Sequence, residues 1–382
     1  MAQVRPGIEV LLTDSIHLVR GQRLGLLTNQ TGVDRAGRRD ADLLIAAGLR
    51  LSTLFSPEHG FRGAEDRPGL PDAVDSATGL PIYSLYGGSR PAARAALDSI
   101  DVLLVDLQDI GARYYTYAGT AASLMRDAAV RGKRVVVLDR PDPIGGELTQ
   151  GAVRGAPGDP DSDAVGFLPV PMRHGMTLGE LLRMANDLLG LRADLVVVPA
   201  AGWRRAMDYD ATGLPWIRPS PNMPDLESAF HYPGICLFEG TNVSVGRGTP
   251  AAFQIIGAPW LDARRLLRSV SALDGVQVVD TEFTPHAPTD GKYDGVSLHG
   301  LRFRVTDRAR YDPTRLAVEL LAGLEALYPD SFQLRPTSFD RLAADSGLRR
   351  DVLAHRPPAD IWAAWRVPLE RFRRTRVKYL LY

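Results

Sequence analysis

The stretch DVLLVDLQDIGARYYTYAGTAASLMRDAAVRGKRVVVLDR, Asp101 to Arg140, decides the fold. It opens on DVLLVDL (Asp101–Leu107) and closes on RVVVLDR (Arg134–Arg140), two apolar runs rich in Val and Leu. Such continuous runs suit strands of a parallel sheet buried on both faces. Between them, TAASLMRDAAVRG (Thr120–Gly132) has the spacing of an amphipathic helix, with Gly132 placed as its C-cap. Strand, helix, strand is the unit from which doubly wound α/β sheets are built.

The same alternation extends in both directions. RLGLLTN (Arg23–Asn29), LRLSTLFS (Leu49–Ser56) and DLVVVPA (Asp194–Ala200) read as further buried strands. RRDADLLIAAG (Arg38–Gly48) and TLGELLRMANDLLG (Thr177–Gly190) read as helices, with Gly48 and Gly190 as C-caps. Thr177 and Glu180 have the spacing of a capping box. The pattern predicts a Rossmann-like doubly wound parallel sheet. Ligands in such sheets bind beyond the carboxyl ends of the strands. Polar clusters fall there four times: Asn29, Gln30 and Thr31; Glu58 and His59; Gln108 and Asp109; Asp139, Arg140 and Asp142. One shared pocket at these four strand ends is the expectation. The turn TNQTGVDRAG is not G-x-G-x-x-G and no Walker motif occurs, so no nucleotide cofactor is expected.

Around Ala211–Pro233 repeated prolines predict an extended connection and a domain boundary. Residues 1–230 then form the Rossmann-like domain, and residues 231–382 a smaller α+β domain that closes the cleft. Its signals are the alternating run VSLHGLRFRVTD, the helix TRLAVELLAGLEALYP (Thr314–Pro329) and an arginine-rich tail. Arg371 to Arg376 in that tail read first as a solvated helix face.

At 382 residues, with 45% hydrophobic and 24% charged residues, the composition is that of a soluble globular protein. A net charge of +0 argues against nucleic acid or an anionic membrane as the main partner. No segment reaches the roughly 20 apolar residues of a membrane span. The start, MAQVRPGIEVLLTDS, lacks the pattern of a signal peptide, which predicts a cytoplasmic protein, or a periplasmic or secreted one if a precursor was trimmed. The single cysteine, Cys236, lies in the apolar run YPGICLF and reads as a buried small hydrophobe.

Five stretches are too polar and glycine-rich to be packing alone: SPEHGFRG, DLQDIGARYYTYAG, LDRPDPIGG, IRPSPNMP and FEGTNVSVGRGTP. In the second, Asp109 and Arg113 stand beside Tyr114, Tyr115 and Tyr117, which suits either a packed tyrosine cluster or a sugar site. In the last, Glu239, Thr241, Asn242 and Ser244 are read as following an apolar strand, and glycines flank Arg247. His59, His174, His231 and His299 lie in separate segments without ligand spacing, so no metal is expected. No G-x-S-x-G elbow is present.

Together with LLTNQTGVD, these motifs in this order resemble the NamZ-type exo-β-N-acetylmuramidases, a family once described only as a domain of unknown function. The similarity spans nearly the whole chain. It implies a Rossmann-like domain, a smaller C-terminal domain and a site in the cleft between them. It also implies release of N-acetylmuramic acid from the non-reducing end of peptidoglycan fragments. Many members carry export signals, and this chain departs from them by starting almost at the first strand. Glu58 and His59 match the family's glutamate–histidine motif. Glycoside cleavage needs a proton donor and a nucleophile or base. Glu58 is the expected acid, assisted by His59, with Asp109 and Glu239 as candidates for the second role. Tyr114 is placed to stabilise the oxocarbenium-like state or act as nucleophile. Arg113 or Arg247 is expected on the lactyl carboxylate. Asn29, Gln30, Tyr115, Asp139, Asn222 and Asn242 complete the expected contacts to a muramic-acid-containing glycan. Two rivals remain open, a catalytically silent sugar-binding protein and a metal-dependent hydrolase of another substrate. The oligomeric state is left open.

Overall fold

Each of the five apolar runs read as buried strands forms a strand of one sheet. The computed structural model describes residues 3–67, 69–86, 90–271 and 273–382. In chain order the strands of the first domain are β1 (Arg23–Thr28), β2 (Arg50–Ser56), β3 (Ala73–Val74), β4 (Pro81–Ser84), β5 (Val102–Asp106), β6 (Arg134–Leu138), β7 (Gln150–Val153), β8 (Pro171–Arg173) and β9 (Leu195–Val198). Seven of them form a sheet in the order β3-β4-β2-β1-β5-β6-β9, while β7 and β8 pair separately. All neighbours from β4 to β9 run parallel, and only β3 is antiparallel. The order reverses between β1 and β5, the switch point of a doubly wound sheet.

Successive residues of a strand face opposite sides of the sheet. Leu104 and Val136 pack with Ile8 and Leu11 of α1 (Gly7–Asp14) and Leu44 of α2 (Asp40–Ala46). Leu103, Val105, Val135 and Val137 pack on the other side with α4 (Tyr117–Val130) and α5 (Leu178–Leu188), which follow α3 (Arg90–Ala96). The capping box at Thr177 and Glu180 is present. Gly48, Gly132 and Gly190 end their helices with positive φ, which costs a residue without Cβ little.

The proline-rich connection is shorter than expected. It gives way at Leu226 to α6 (Leu226–Ile235), whose N-cap Asp225 accepts from the Ser228 amide at 2.9 Å. Pro233 lies inside this helix, so the helix crosses the expected boundary at residue 230. Beyond it come β10 (Ile255–Ala258), α7 (Ala263–Ser269), β11 (Val276–Phe283) and β12 (Leu298–Val305), then α8 (Pro313–Leu327), α9 (Pro336–Ala343), α10 (Gly347–Leu353) and α11 (Pro358–Arg376). The second sheet is antiparallel, β10-β12-β11. Cys236 is buried, as expected. The segment before the FEGTNVSVGRGTP loop is a 3-10 turn, Cys236–Gly240, rather than a strand.

The tail is a solvated face at Arg371, Arg373 and Arg374, as read, but not at its last arginine. Arg376 at the end of α11 is buried and donates to the carbonyls of Gly146, His174, Gly175 and Glu147 in the first domain. Among the described residues no helix is long and apolar enough to cross a membrane.

Candidate active site

A cleft of about 410 Å³ opens where the loops after β2 and β4 meet the start of α4, the Ser220–Asn222 segment and the Cys236–Gly240 turn. That volume suits a small ligand. Glu58 and His59 enter it directly from the carboxyl end of β2.

Among the described residues four carboxylates line this space: Glu58, Asp66, Asp161 and Glu239. Thr116, at the start of α4, donates its hydroxyl to Glu58 at 2.6 Å. Burial, reinforced by the Glu58 carboxylate beside it, pushes the Tyr86 hydroxyl up to about 12. His59 adopts φ +70°, a conformation unusual for a side chain with Cβ and typical of functional loops. Its Nδ1 lies 2.7 Å from the Glu65 carbonyl and 3.5 Å from Asp66 Oδ1.

Asp66 and Glu239 share one cation. Arg247 Nε donates to Glu239 at 2.6 Å and Nη1 to Asp66 at 3.1 Å. Asn222 donates to the same Asp66 oxygen as Arg247, at 2.6 Å. Although burial opposes it, the two carboxylates hold the Arg247 guanidinium above its ordinary value. Beneath Glu239, the buried Lys292 ammonium donates to the carbonyls of Phe238 at 3.1 Å and Val243 at 3.0 Å, which pins the turn.

One wall is aromatic. Tyr115 meets Tyr117 edge-on at 4.7 Å and Tyr232 at 6.0 Å. The Tyr115 hydroxyl is buried in the wall and finds no hydrogen-bond partner among the described residues, and burial pushes it well above its usual range. Tyr114 lines the cleft too, but its hydroxyl donates to the Pro233 carbonyl at 2.8 Å.

Of the residues expected at the site, Glu58, His59, Tyr114, Tyr115, Asn222, Glu239 and Arg247 meet in this cleft. The rest do not line it, and their side chains bond chiefly within the fold. Asn29 donates to the Tyr117 hydroxyl at 2.9 Å, and Gln30 donates to the Arg218 carbonyl at 2.7 Å. A Cβ at Gly63 would sit about 2.0 Å from the Gln30 side chain, so Gln30 wedges the Glu58 loop against the proline-rich loop. Asp109 is buried, accepting from the Gly111 amide at 2.8 Å with His174 at 3.5 Å. Asp139 accepts from Thr177 at 2.6 Å, the Gly179 amide at 2.8 Å and Tyr382 at 2.8 Å, a tether for the C-terminus. Arg113 is buried and holds the carbonyls of Ala152 and Leu342, both at 2.8 Å. Asn242 bridges to the Ser331 carbonyl at 2.8 Å and the Gln333 amide at 2.9 Å. Of the four polar clusters expected to share a pocket, only the one after β2 enters the cleft, and the two arginines named for a carboxylate are both engaged.

Sequence reasoning missed Asp66, Tyr86, Thr116, Lys292 and Arg341. Asp66 was the most accessible of these, since it closes the run EHGFRGAED that begins at Glu58. Lys292 is one of only three lysines, yet nothing local tells that it is buried. Thr116 and Arg341 give no local signal. The four histidines considered stay apart: His174 sits by Asp109, His231 by Glu227 at 3.3 Å and His299 by Glu282 at 3.0 Å. Among the described residues no three His, Cys, Asp or Glu side chains stand in metal-holding geometry.

The family model for the N-terminal part of the exo-β-N-acetylmuramidase NamZ matches residues 24–227, and that for its C-terminal part matches residues 230–382. The chain is 38% identical over 386 aligned residues to the peptidoglycan β-N-acetylmuramidase NamZ of Bacillus subtilis strain 168, covering 100% of this chain and 92% of that protein. A crystal structure of a DUF1343 family protein from Bacteroides fragilis NCTC 9343 superposes with a TM-score of 0.89 at 34% identity, with full coverage of both chains. A second DUF1343 protein of that organism gives 0.77 at 30% identity, covering 100% of this chain and 99% of its own.

Proposed function

This chain belongs to the NamZ family, and from that premise we propose that it is an exo-β-N-acetylmuramidase acting on peptidoglycan fragments, with Glu58 as the proton donor. The observation that carries the assignment of roles is the unequal treatment of four carboxylates in one cleft. A carboxyl that gives up a proton must first hold one, and a cation beside it opposes that. Asp66 and Glu239 both touch Arg247, and Asp161 touches Arg90 and Arg126, whereas Glu58 is bonded by the Thr116 hydroxyl.

The step then balances as follows. Glu58 transfers its proton to the glycosidic oxygen as the bond from that oxygen to the muramoyl anomeric carbon breaks. The bonding pair leaves with the departing sugar, and positive charge develops at the anomeric carbon and ring oxygen. Glu239 or Asp66 faces that charge, and either water or one of these carboxylates completes the substitution. Tyr114 as a nucleophile has no support, since its hydroxyl is bonded to Pro233 and burial raises it far above its usual range. Asp109 is replaced by Asp66 as the alternative to Glu239.

The test is hydrolysis of 4-nitrophenyl β-N-acetylmuramide beside the matching glucosaminide, with and without EDTA. Release from the muramide alone, unchanged by EDTA, supports the muramidase. Turnover abolished by EDTA and restored by a divalent cation would replace it with a metal-dependent hydrolase. Ligand binding by folded protein without turnover would leave a silent sugar-binding protein.

A further inference from the structure

The muramoyl residue differs from glucosamine by a lactyl ether that ends in a carboxylate. A cleft that selects for that group needs a cation not already spent on the protein. Three guanidinium groups line the cleft among the described residues, on Arg90, Arg247 and Arg341. Arg247 is bound to Glu239 and Asp66. Arg90 is bound to Asp161 and donates to Ser123 at 2.8 Å. Among the described residues Arg341 pairs only with Asp163, at 3.4 Å, and Asp163 already has a closer cation in Arg154 at 3.0 Å. Its side chain is 55% exposed.

The base of Arg341 is anchored although its tip is largely exposed. Phe339 on the same helix is fully buried, and a Cβ at Gly240 would meet the Phe339 backbone at 2.6 Å. Arg113 donates to the carbonyl of Leu342, the next residue. The buried arginine expected to hold the substrate instead holds the helix that presents Arg341.

Building on the muramidase reading, we propose that Arg341 binds the lactyl carboxylate and so sets the preference for muramoyl substrates whose lactyl acid is free. Arg341 is a specificity residue here and takes no part in proton transfer.

The experiment compares kcat/KM for 4-nitrophenyl β-N-acetylmuramide and its lactyl methyl ester in the wild type, Arg341→Met and Arg341→Lys. The wild type is expected to favour the acid. Arg341→Met narrows the acid-to-ester ratio roughly ten- to hundredfold, the scale of one charge-assisted contact, and Arg341→Lys restores part of it. An unchanged ratio in Arg341→Met overturns the proposal, because a merely structural role lowers both substrates together. If the wild type cleaves neither glycoside, the muramidase reading fails separately. Calorimetric titration with N-acetylmuramic acid and its methyl ester then decides Arg341 alone. Tighter acid binding that Arg341→Met abolishes supports the proposal, and equal or absent binding of the two overturns it.

Discussion

At the scale of single residues, the cleft separates side chains that carry chemistry from those that carry position. Glu58 is the first kind. Replacing it with Gln keeps its shape and its bond to Thr116 but removes the transferable proton. Glu58→Gln is expected to lower kcat/KM on a muramoyl disaccharide roughly 10²- to 10⁴-fold. The loss should be smaller on the nitrophenyl glycoside, whose leaving group needs less protonation. Equal losses on the two substrates would argue against the acid role. Arg113 and Gln30 are the second kind: residues with the chemistry of ligand contacts that bind backbone carbonyls of their own chain.

At the scale of elements, the loops after β5 and β6 are packed with acids. Asp142 is buried, accepts from the Ile144 amide at 3.1 Å and has one carboxylate oxygen without a hydrogen-bond partner among the described residues. Burial pushes it up to about 7, with His174 and Arg173 drawing it down and Asp109 adding to the rise. A carboxyl raised on folding stabilises the native state below its unfolded value of about 3.9, and that stability is lost as pH rises through the folded value. Asp142→Asn removes this penalty. Its stability relative to the wild type should therefore climb from about pH 4 to about 7 and level off above, at no more than about 1.4 kcal/mol per pH unit. Urea midpoints near about pH 5 and about pH 8 check this. Parallel changes in the two proteins would show that Asp142 does not titrate in that window. The elements themselves were largely legible in the sequence. The strands β1, β2, β5, β6 and β9 and the helices α4, α5 and α8 lie where hydrophobic period and capping residues put them. The buried strands β8 and β10 were too short to stand out, and α6 was disguised by its prolines. This helix packs closely on the start of α8, where a Cβ at Gly234 would lie 1.9 Å from the Pro313 carbonyl.

At the scale of the whole molecule, the two sheets do not have separate cores. One apolar cluster runs from Leu103 and Met125 through Phe230 and Ile235 to Leu316, Phe339 and Phe372. The chain end then returns to the first domain, where the Tyr382 hydroxyl bonds to Asp139 and accepts from the Ala200 amide, both at 2.8 Å. Shared burial couples the halves, so calorimetry should show one unfolding transition, and removing Arg376–Tyr382 should lower it as a whole. Two resolved transitions in the intact chain would contradict that coupling. Such coupling also suits the cleft, which takes Glu58 from one half and Glu239, Arg247 and Arg341 from the other.

The sequence by itself determined the doubly wound sheet, the caps of its helices and the place of SPEHGFRG at a strand's carboxyl end. Those features follow from spacing over a few residues, and local spacing survives in any tertiary arrangement. Only the tertiary structure decided which polar residues stay free for a ligand. Arg113 is satisfied by a carbonyl 229 residues away, Asp139 by a hydroxyl 243 residues away, and Arg247 by a carboxylate 181 residues away. A buried charge must find partners wherever the fold brings them, and no window of sequence contains that information.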